Sequence, residues 1–188
     1  MRVLGIDPGL AHVGWCVRVD NTVVAAGVFR TKATPGAERE AEGITKASDL
    51  MRRAQEIAAW LDSSIETFKP ELVSWEAMSL GFVQPITMMQ MGVAFGTLAA
   101  VARVHRVPCS EVPPKWIKAW TRGALRLPLL DGRKLAPVEK EHVIQAVRAA
   151  WPNIEWPRAT ADHEHLADAA VCAQIAMENQ HPEHRREP

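Results

Sequence analysis

The stretch Val3-Leu4-Gly5-Ile6-Asp7-Pro8-Gly9-Leu10 has the pattern of a buried strand that ends on a carboxylate. Its apolar residues occupy both alternating faces, which is typical of a strand covered on both sides of its sheet. Pro8 and Gly9 end the strand, so Asp7 is expected in the crevice where open α/β sheets bind ligands. Asp-Pro-Gly is also common in surface turns, and this stretch alone leaves both interpretations open.

A second predicted strand, residues 71–76, also ends on an acid, in the order Leu72-Val73-Ser74-Trp75-Glu76. An ionised side chain in a core-facing position costs several kcal/mol unless a cation or a hydrogen bond compensates it. Two such acids side by side repel each other, and a divalent metal is the usual remedy. The alternative is that Glu76 is the first residue of a loop and points to water.

The last predicted helix begins near Ala161 and carries Asp162-His163-Glu164-His165-Leu166-Ala167-Asp168. At about 100° per residue, His165 and Asp168 lie on one face one turn apart, whereas Asp162 lies about 120° round from Asp168. His165 and Asp168 can therefore share one metal, and Asp162 is expected to lie outside that site. Several small residues allow this helix to approach a sheet closely, namely Ala167, Ala169, Ala170 and Ala173.

The remaining segments predict three more strands, which makes five in all, with interspersed helices. Val-rich runs at 12–20 and 22–29 meet at Asp20-Asn21 as a hairpin, which forms an antiparallel meander with the first strand. Residues 107–112 predict the fifth strand, 31–43 a loop or short helical turn, and 123–137 a long connection. Helices are predicted at 44–68, 87–104, 115–122 and 139–151. The helix at 87–104 is apolar nearly all round, so it is expected to be covered on more than one side, by the core alone or by the core and a second subunit.

Length and composition limit the class of protein. The 188 residues suit one domain at 1–180, followed by a polar tail at 181–188 that is not expected to fold. The sequence has no uninterrupted apolar run of ~18 residues and no secretory leader, which predicts a cytoplasmic protein without a membrane span. Three cysteines far apart in sequence, Cys16, Cys109 and Cys172, favour free thiols in a reducing compartment.

Positive charge is concentrated in one part of an otherwise neutral chain. Lysine plus arginine equals aspartate plus glutamate at 22 each, but residues 113–134 hold six basic residues and one acid. The pattern predicts a phosphate-contacting patch with Trp116 and Trp120 inside it, and the alternative is a solvated helix with both indoles turned inward. The six basic residues are Lys115, Lys118, Arg122, Arg126, Arg133 and Lys134.

Together, the two strand acids and the terminal helix pair resemble the RNase H-like superfamily. Ile6-Asp7-Pro8-Gly9-Leu10, with Gly14, closely resembles the opening motif of the RuvC-like Holliday junction resolvases. Ser74-Trp75-Glu76 stands where that family has its second acidic motif, and His165-Leu166-Ala167-Asp168-Ala169 matches its C-terminal motif. The resemblance implies an α/β, RNase H-like fold: a central mixed five-stranded sheet, its first three strands antiparallel, with helices on both faces.

The same resemblance implies the ligands, cofactor and partners. It makes Asp7, Glu76, His165 and Asp168 the ligands of Mg²⁺ or Mn²⁺, with two ions per active site. It also implies a homodimer that nicks opposite strands of a four-way DNA junction symmetrically and leaves 5′-phosphates, acting in DNA recombination and repair. The neutral charge and the long 123–137 connection suit a divergent branch of that family, such as one encoded by a phage.

Further residues are implied to act on the DNA itself. Lys118 and Lys140 fall where the family places basic residues that assist at the scissile phosphate. The family has an aromatic wedge soon after the second acid; here Ser79 stands near that place and Phe82 comes later, so Phe82 is the candidate wedge. The implied DNA contacts are therefore Phe82, Lys140 and the six basic residues of 113–134.

Functions of other classes stay open at this point. Asp7-Pro8-Gly9 after a strand also resembles the first phosphate loop of actin-like ATPases and sugar kinases, but these need a second phosphate loop and a duplicated core. A non-catalytic module that recognises junctions or RNA by shape has no reason to keep four potential ligands on three elements. The sequence hardly distinguishes a resolvase from an RNase H-fold nuclease that acts on RNA or other branched DNA.

Overall fold

A computed structural model describes residues 1–78, 84–127, 129–130, 134–135 and 137–180. Its strands are β1 (Arg2–Asp7), β2 (His12–Val19), β3 (Thr22–Arg30), β4 (Leu72–Glu76), β5 (Cys109–Val112), β6 (Leu129–Leu130) and β7 (Lys134–Leu135). Its helices are α1 (Gly36–Glu42), α2 (Lys46–Phe68), α3 (Pro85–Val104), α4 (Pro114–Leu125), α5 (Lys140–Ala150) and α6 (His163–Gln180), with a 3₁₀ turn at Thr160–Asp162 before α6.

The main sheet has five strands in the order β3-β2-β1-β4-β5. The first three strands pair antiparallel, whereas β1 with β4 and β4 with β5 pair parallel. The predicted mixed sheet with an antiparallel meander is confirmed. Within the 123–137 connection, β6 and β7 pair as a separate antiparallel ribbon that the sequence pattern did not predict.

Helices cover both faces of the sheet. On one face α2 and α3 pack against β1, β2 and β4, around the buried side chains of Leu4, Ile6, Val73, Ile57 and Leu98. On the other face α4, α5 and α6 enclose Cys16, Val112, Ile117, Val147 and Leu166. The central strand β1 is therefore buried on both sides, as its apolar pattern predicted.

The long helix α2 begins and ends on local signals in the sequence. The Thr45 side chain caps its N-terminus by accepting a hydrogen bond from the Ser48 amide at 3.0 Å. Lys69 ends it in the left-handed conformation, directly before Pro70. Near its start, Asp49 accepts hydrogen bonds from the amide and hydroxyl of Thr34. These bonds tie the helix to the segment after β3, in which 36–42 form the short helix α1.

The apolar helix α3 is buried on one face only. Ala94, Leu98 and Ala102 are buried, on the side that packs against α2. Large apolar side chains elsewhere on the helix are exposed, namely Ile86, Met88, Met89 and Val104. The expectation that the core covers several sides of this helix is wrong, because composition does not reveal which sides the fold encloses. By length and composition alone, α3 is the one helix among the described residues that could cross a membrane.

Candidate active site

Asp7 and Glu76 lie at neighbouring strand ends in the middle of the sheet. The parallel pairing of β1 with β4 sets Ile6 beside Trp75, so the acids that follow them leave the sheet at the same edge. Asp7 is 16% exposed at its side chain, and Glu76 is partly buried. The two carboxylates interact electrostatically, and this interaction is one of the causes that raise the pKa of Glu76.

Helix α6 reaches the two acids because glycines let it lie directly on the sheet. Gly14 pairs with Asp7 across β1 and β2, and a Cβ at Gly14 would overlap the carbonyl oxygen of His165. A Cβ at Gly5 would overlap the carbonyl oxygen of Ala169 in the same way. The close approach that the alanine-rich pattern of α6 predicted therefore needs glycines on the strands as well.

Three carboxyl groups on β1, β4 and α6 interact with one another. Burial, followed by the charge of Asp7, raises the pKa of Glu76 to about 7. The pKa of Asp168 is raised well above its ordinary range, first by burial and then by Asp7 and Glu76. Within the described residues, neither Glu76 nor Asp168 has a hydrogen-bond or ion-pair partner. Of the three acids, Glu76 and Asp168 therefore lack a positive charge in direct contact.

His165 pairs with Asp7. Its Nδ1 lies 2.6 Å from Asp7 Oδ2, and this hydrogen bond is the main reason that the pKa of the imidazole is raised. The imidazole is about one-third exposed, so it borders the crevice and is open to solvent on one side. A protonated His165 supplies part of the positive charge that the acids need, and a metal ion can replace that proton.

The donor set fits a hard divalent cation. Carboxylate oxygens are the ligands that Mg²⁺ and Mn²⁺ prefer, and a neutral imidazole is compatible with Mn²⁺. Among the residues that the structure describes, no three acidic, histidine or cysteine side chains already form a closed metal cage.

A cleft of about 120 Å³ joins the acids to two lysines. Its walls include Glu76, Asp168, Lys118 and Lys140. Lys118 stands in the second turn of α4, which begins at Pro114, and its charge lowers the pKa of Glu76 against the other effects. Lys140 is the first residue of α5, and its Nζ lies 2.5 Å from Glu164 Oε1. The chain thus brings both predicted lysines to the acid cluster.

The structure places Asp162 outside the acid cluster, as the helix geometry predicted. It is buried and pairs with Arg30, and its Oδ1 lies 3.0 Å from His12 Nδ1. The His12 ring meets His165 edge to face at 5.3 Å between ring centroids. Sequence reasoning missed His12 and Arg30 as neighbours of the site, because only the sheet register and the packing of α6 bring them there.

The structure describes the side chains of four of the six basic residues of the predicted patch. Lys115, Lys118 and Arg122 share one face of α4 by their spacing, and Arg126 ends the helix. Trp116 and Trp120 are partly buried against the core, and the Trp120 ring stacks on Trp151 at 5.5 Å between centroids. Both indoles are therefore turned inward, which is the second of the two alternatives stated for them. The side chains of Arg133 and Lys134, the candidate wedge Phe82, Ser79 and the tail 181–188 lie outside the described residues.

Comparison with known proteins places the chain among junction endonucleases. It is 32% identical to the crossover junction endodeoxyribonuclease RuvC of Prochlorococcus marinus (strain MIT 9303) over 178 residues, 92% of this chain and 96% of that protein. It is also 32% identical to the RuvC of Synechococcus sp. (strain CC9902), over 78% of this chain and 81% of that protein. No protein-family model matches the sequence.

Solved structures agree with these relatives. Thermus thermophilus RuvC in complex with Holliday junction substrate superposes with a TM-score of 0.65 and 26% identity, over 92% of this chain and 90% of that chain. The yeast mitochondrial Holliday junction resolvase Ydc2, with a TM-score of 0.57 and 18% identity over 92% of this chain and 75% of that chain, shares the fold. With 32% identity across 96% of the first relative, the chain belongs to the RuvC family of crossover junction endodeoxyribonucleases.

Proposed function

We propose that this protein resolves four-way DNA junctions by nicking two opposite strands symmetrically. The observation that carries the proposal is the meeting of Asp7, Glu76 and Asp168 from three elements, in a chain similar throughout to a RuvC solved with Holliday junction substrate. A module that only binds DNA gains nothing from uncompensated carboxylates, which repel phosphate. An endonuclease needs them, because they hold the cation that offsets the charge of the phosphate under attack.

The proposed cofactor is Mg²⁺ or Mn²⁺, with two ions at each site. When bound, such ions lower the pKa of the attacking water and stabilise the charge on the leaving oxygen. The carboxylates of Asp7, Glu76 and Asp168 would hold them, with His165 as the fourth ligand. As a ligand His165 would be neutral, so the proton that its raised pKa retains beside Asp7 would be released to solvent on metal binding.

Without bound metal, the Glu76→Gln variant is expected to be more stable than wild type at high pH. The folded-state pKa of Glu76 is about 7 against an ordinary 4.5, so the folded state disfavours the ionised form. The resulting penalty is absent below about pH 4.5 and complete above about pH 7. In EDTA at pH 8, Glu76→Gln should melt about 5 °C above wild type, and the difference should vanish near pH 4.5.

Thermal unfolding across that pH range measures the effect, with Glu66→Gln, at an exposed position on α2, as the matched control. Added Mg²⁺ should raise the melting temperature of wild type and leave that of Glu76→Gln nearly unchanged. Equal melting curves for wild type and Glu76→Gln at pH 8 would show that Glu76 is not held among like charges.

Lys118→Ala is expected to lower turnover much more than DNA affinity. Lys118 stands in the cleft with Glu76 and Asp168, where a cation offsets charge that develops on the phosphate. Removing one such group should slow single-turnover cleavage about 10²-fold, with a change in junction Kd below about threefold. Lys115→Ala, one turn earlier and exposed, should do the reverse, weakening binding in a salt-dependent way with normal turnover. A loss confined to Kd in Lys118→Ala would reassign Lys118 to a backbone contact.

We also propose that the protein acts as a homodimer joined through the exposed face of α3. The stripe containing Met89, Gly92 and Gly96 is exposed, and nothing lies within 4 Å of a Cβ built at either glycine. A second α3 can approach closely there, which would cover apolar surface that the monomer leaves exposed. Two sites related by the two-fold axis of a dimer would also match the two opposite strands of a four-way junction.

Gly96→Glu is expected to separate the dimer without harming the monomer. The new side chain meets open space in the monomer and improves helix propensity, but it places a charge in the proposed contact. Sedimentation at micromolar concentration should give the 20.8 kDa monomer for this variant and twice that mass for wild type. Gly123→Glu, in open space on α4, should stay dimeric. A monomeric wild type in the presence of junction DNA would refute the interface.

The ends of the products test the proposed reaction directly. Hydrolysis that leaves 5′-phosphates and 3′-hydroxyls allows a DNA ligase to rejoin both nicked strands without further enzymes. Full religation of the two duplex products is the expected result. Products that ligate only after kinase treatment would contradict the proposed bond cleavage, although they would leave the substrate unchanged.

A further inference from the structure

A second cavity borders the acid cluster and differs from the first in charge. It encloses about 400 Å³ between the loop after β1, helix α2 and the first turns of α3, and His165 forms part of its wall. None of the described residues that line it is acidic. Arg53 lines it instead, beside His12, whose pKa is lowered by burial, so the cation on this side of His165 is Arg53, whereas the lysine cleft holds the carboxylates.

Arg53 is the charged group of this cavity. It is only 8% exposed, and its Nε donates a hydrogen bond to Thr31 Oγ1 at 2.8 Å. The Thr31 hydroxyl in turn donates to the carbonyl oxygen of Leu10 at 2.5 Å, in the loop that follows Asp7. These two bonds fix the guanidinium relative to the strand end that carries the first acid.

The two terminal nitrogens of Arg53 have no partner among the described residues. No carboxylate there lies at ion-pair distance from them, since the nearby Asp49 is engaged by Thr34 and Arg52. The charges of Asp49 and Glu56 act on Arg53 only from beyond ion-pair distance, and its terminal nitrogens stay open to water in the cavity. Its free donors reach the cavity, where an entering anion could take two parallel hydrogen bonds.

We propose that this cavity is a phosphodiester subsite, in which Arg53 binds the non-bridging oxygens of a phosphate next to the one that is cut. The inference rests on the proposed function, because it takes the acid cluster to hold the scissile phosphate. The cavity adjoins that cluster through His165, and the proposal assigns it a phosphate of the strand that is cut. A buried cation with a fork of free donors selects an anion over a neutral base edge.

Methylphosphonate linkages test the contact, because each removes the charge of one phosphate. Binding is measured in the Asp7→Asn background, which prevents cutting, on junctions with one neutral linkage at a time within three nucleotides of the mapped cleavage position. The Asp7→Asn parent should bind ~10-fold more weakly when one particular linkage is neutral than when it is charged. The same protein carrying Arg53→Met should bind both forms of that linkage equally well. Arg53→Met alone should weaken binding by a similar ~10-fold. Arg103→Met, exposed near the far end of α3, should keep the parent's profile.

Each other outcome is decisive. If each neutral linkage lowers the affinity of Arg53→Met by the same factor as that of its parent, Arg53 contacts none of these phosphates and the proposed subsite is wrong. If coupling appears with abasic nucleotides and not with neutral linkages, the cavity takes a base. If Arg53→Met melts below the assay temperature, Arg53→Lys replaces it, because lysine keeps the charge but lacks the two parallel donors of the guanidinium. Arg53→Lys should lose less affinity than the parent when that linkage is neutral. A loss equal to that of the parent at every linkage overturns the proposal. A parent that does not prefer four-way junctions over duplex refutes the proposed substrate instead, and the coupling is then read on the DNA it does bind.

Discussion

Replacing Asp7 by Asn is expected to abolish cleavage and to leave junction binding intact or slightly tighter. Asn keeps the shape of the side chain and can still accept the hydrogen bond from His165, so the fold should not change. It removes one negative charge from a cluster in which Asp7 raises the pKa of both Glu76 and Asp168. The site then has a weaker hold on a divalent cation and repels phosphate less.

The expected loss is about 10³-fold or more in single-turnover rate, because a bound ion contributes several kcal/mol to the transition state. Kd is measured separately by gel shift in EDTA. Asp62→Asn is the control: this carboxylate is exposed on α2, pairs with His105 at 2.7 Å and should keep the wild-type rate. Wild-type cutting by Asp7→Asn would remove Asp7 from the metal site.

Gly14→Ala should cost the most stability of any single methyl added to the sheet near the site. Gly14 lies opposite Asp7, and an added Cβ would collide with backbone atoms of His165. Backbone cannot rotate away as a side chain can, so α6 must move off the sheet. Overpacking of this kind costs about 3 kcal/mol, which lowers the melting temperature by about 10 °C in a chain of this size.

The displaced helix should also separate His165 from Asp7. The imidazole resonances of His165 in an NMR titration should then lose the raised pKa that the hydrogen bond with Asp7 produces. Gly123→Ala on α4, where a Cβ meets nothing within 4 Å, should stabilise the protein by about 0.5–1 kcal/mol. An unchanged melting temperature in Gly14→Ala would show that α6 does not rest on β2 as described.

Local patterns in the sequence predicted much of this fold. The run Val3–Ile6 before Asp7 and the run Leu72–Trp75 before Glu76 predict buried strands because neither carries a charged side chain. The step of three between His165 and Asp168 placed both on one face of α6 without any knowledge of the sheet. These features depend on residues near one another in the chain.

Features that depend on distant residues could not be predicted in the same way. An apolar helix has the same composition whether the core alone or the core and a second subunit cover it, so the sequence left both alternatives open for α3, and only the structure shows which face the core covers. Gly14 was noted only as part of a motif, since its contact with His165 depends on how α6 docks. The cavity beside Arg53 joins α2, α3 and the loop after β1, which no local pattern connects.

The most direct test of the account is cleavage of an immobile four-way junction with each strand labelled in turn, beside linear duplex, single strand, a Y-fork and an RNA–DNA hybrid, with Mg²⁺, with Mn²⁺ and with EDTA. A metal-dependent junction resolvase gives paired nicks at symmetric positions on two opposite strands of the four-way junction, only when metal is present. Cutting of the fork or the hybrid in preference to the junction, or unpaired nicks on a single strand, would contradict it.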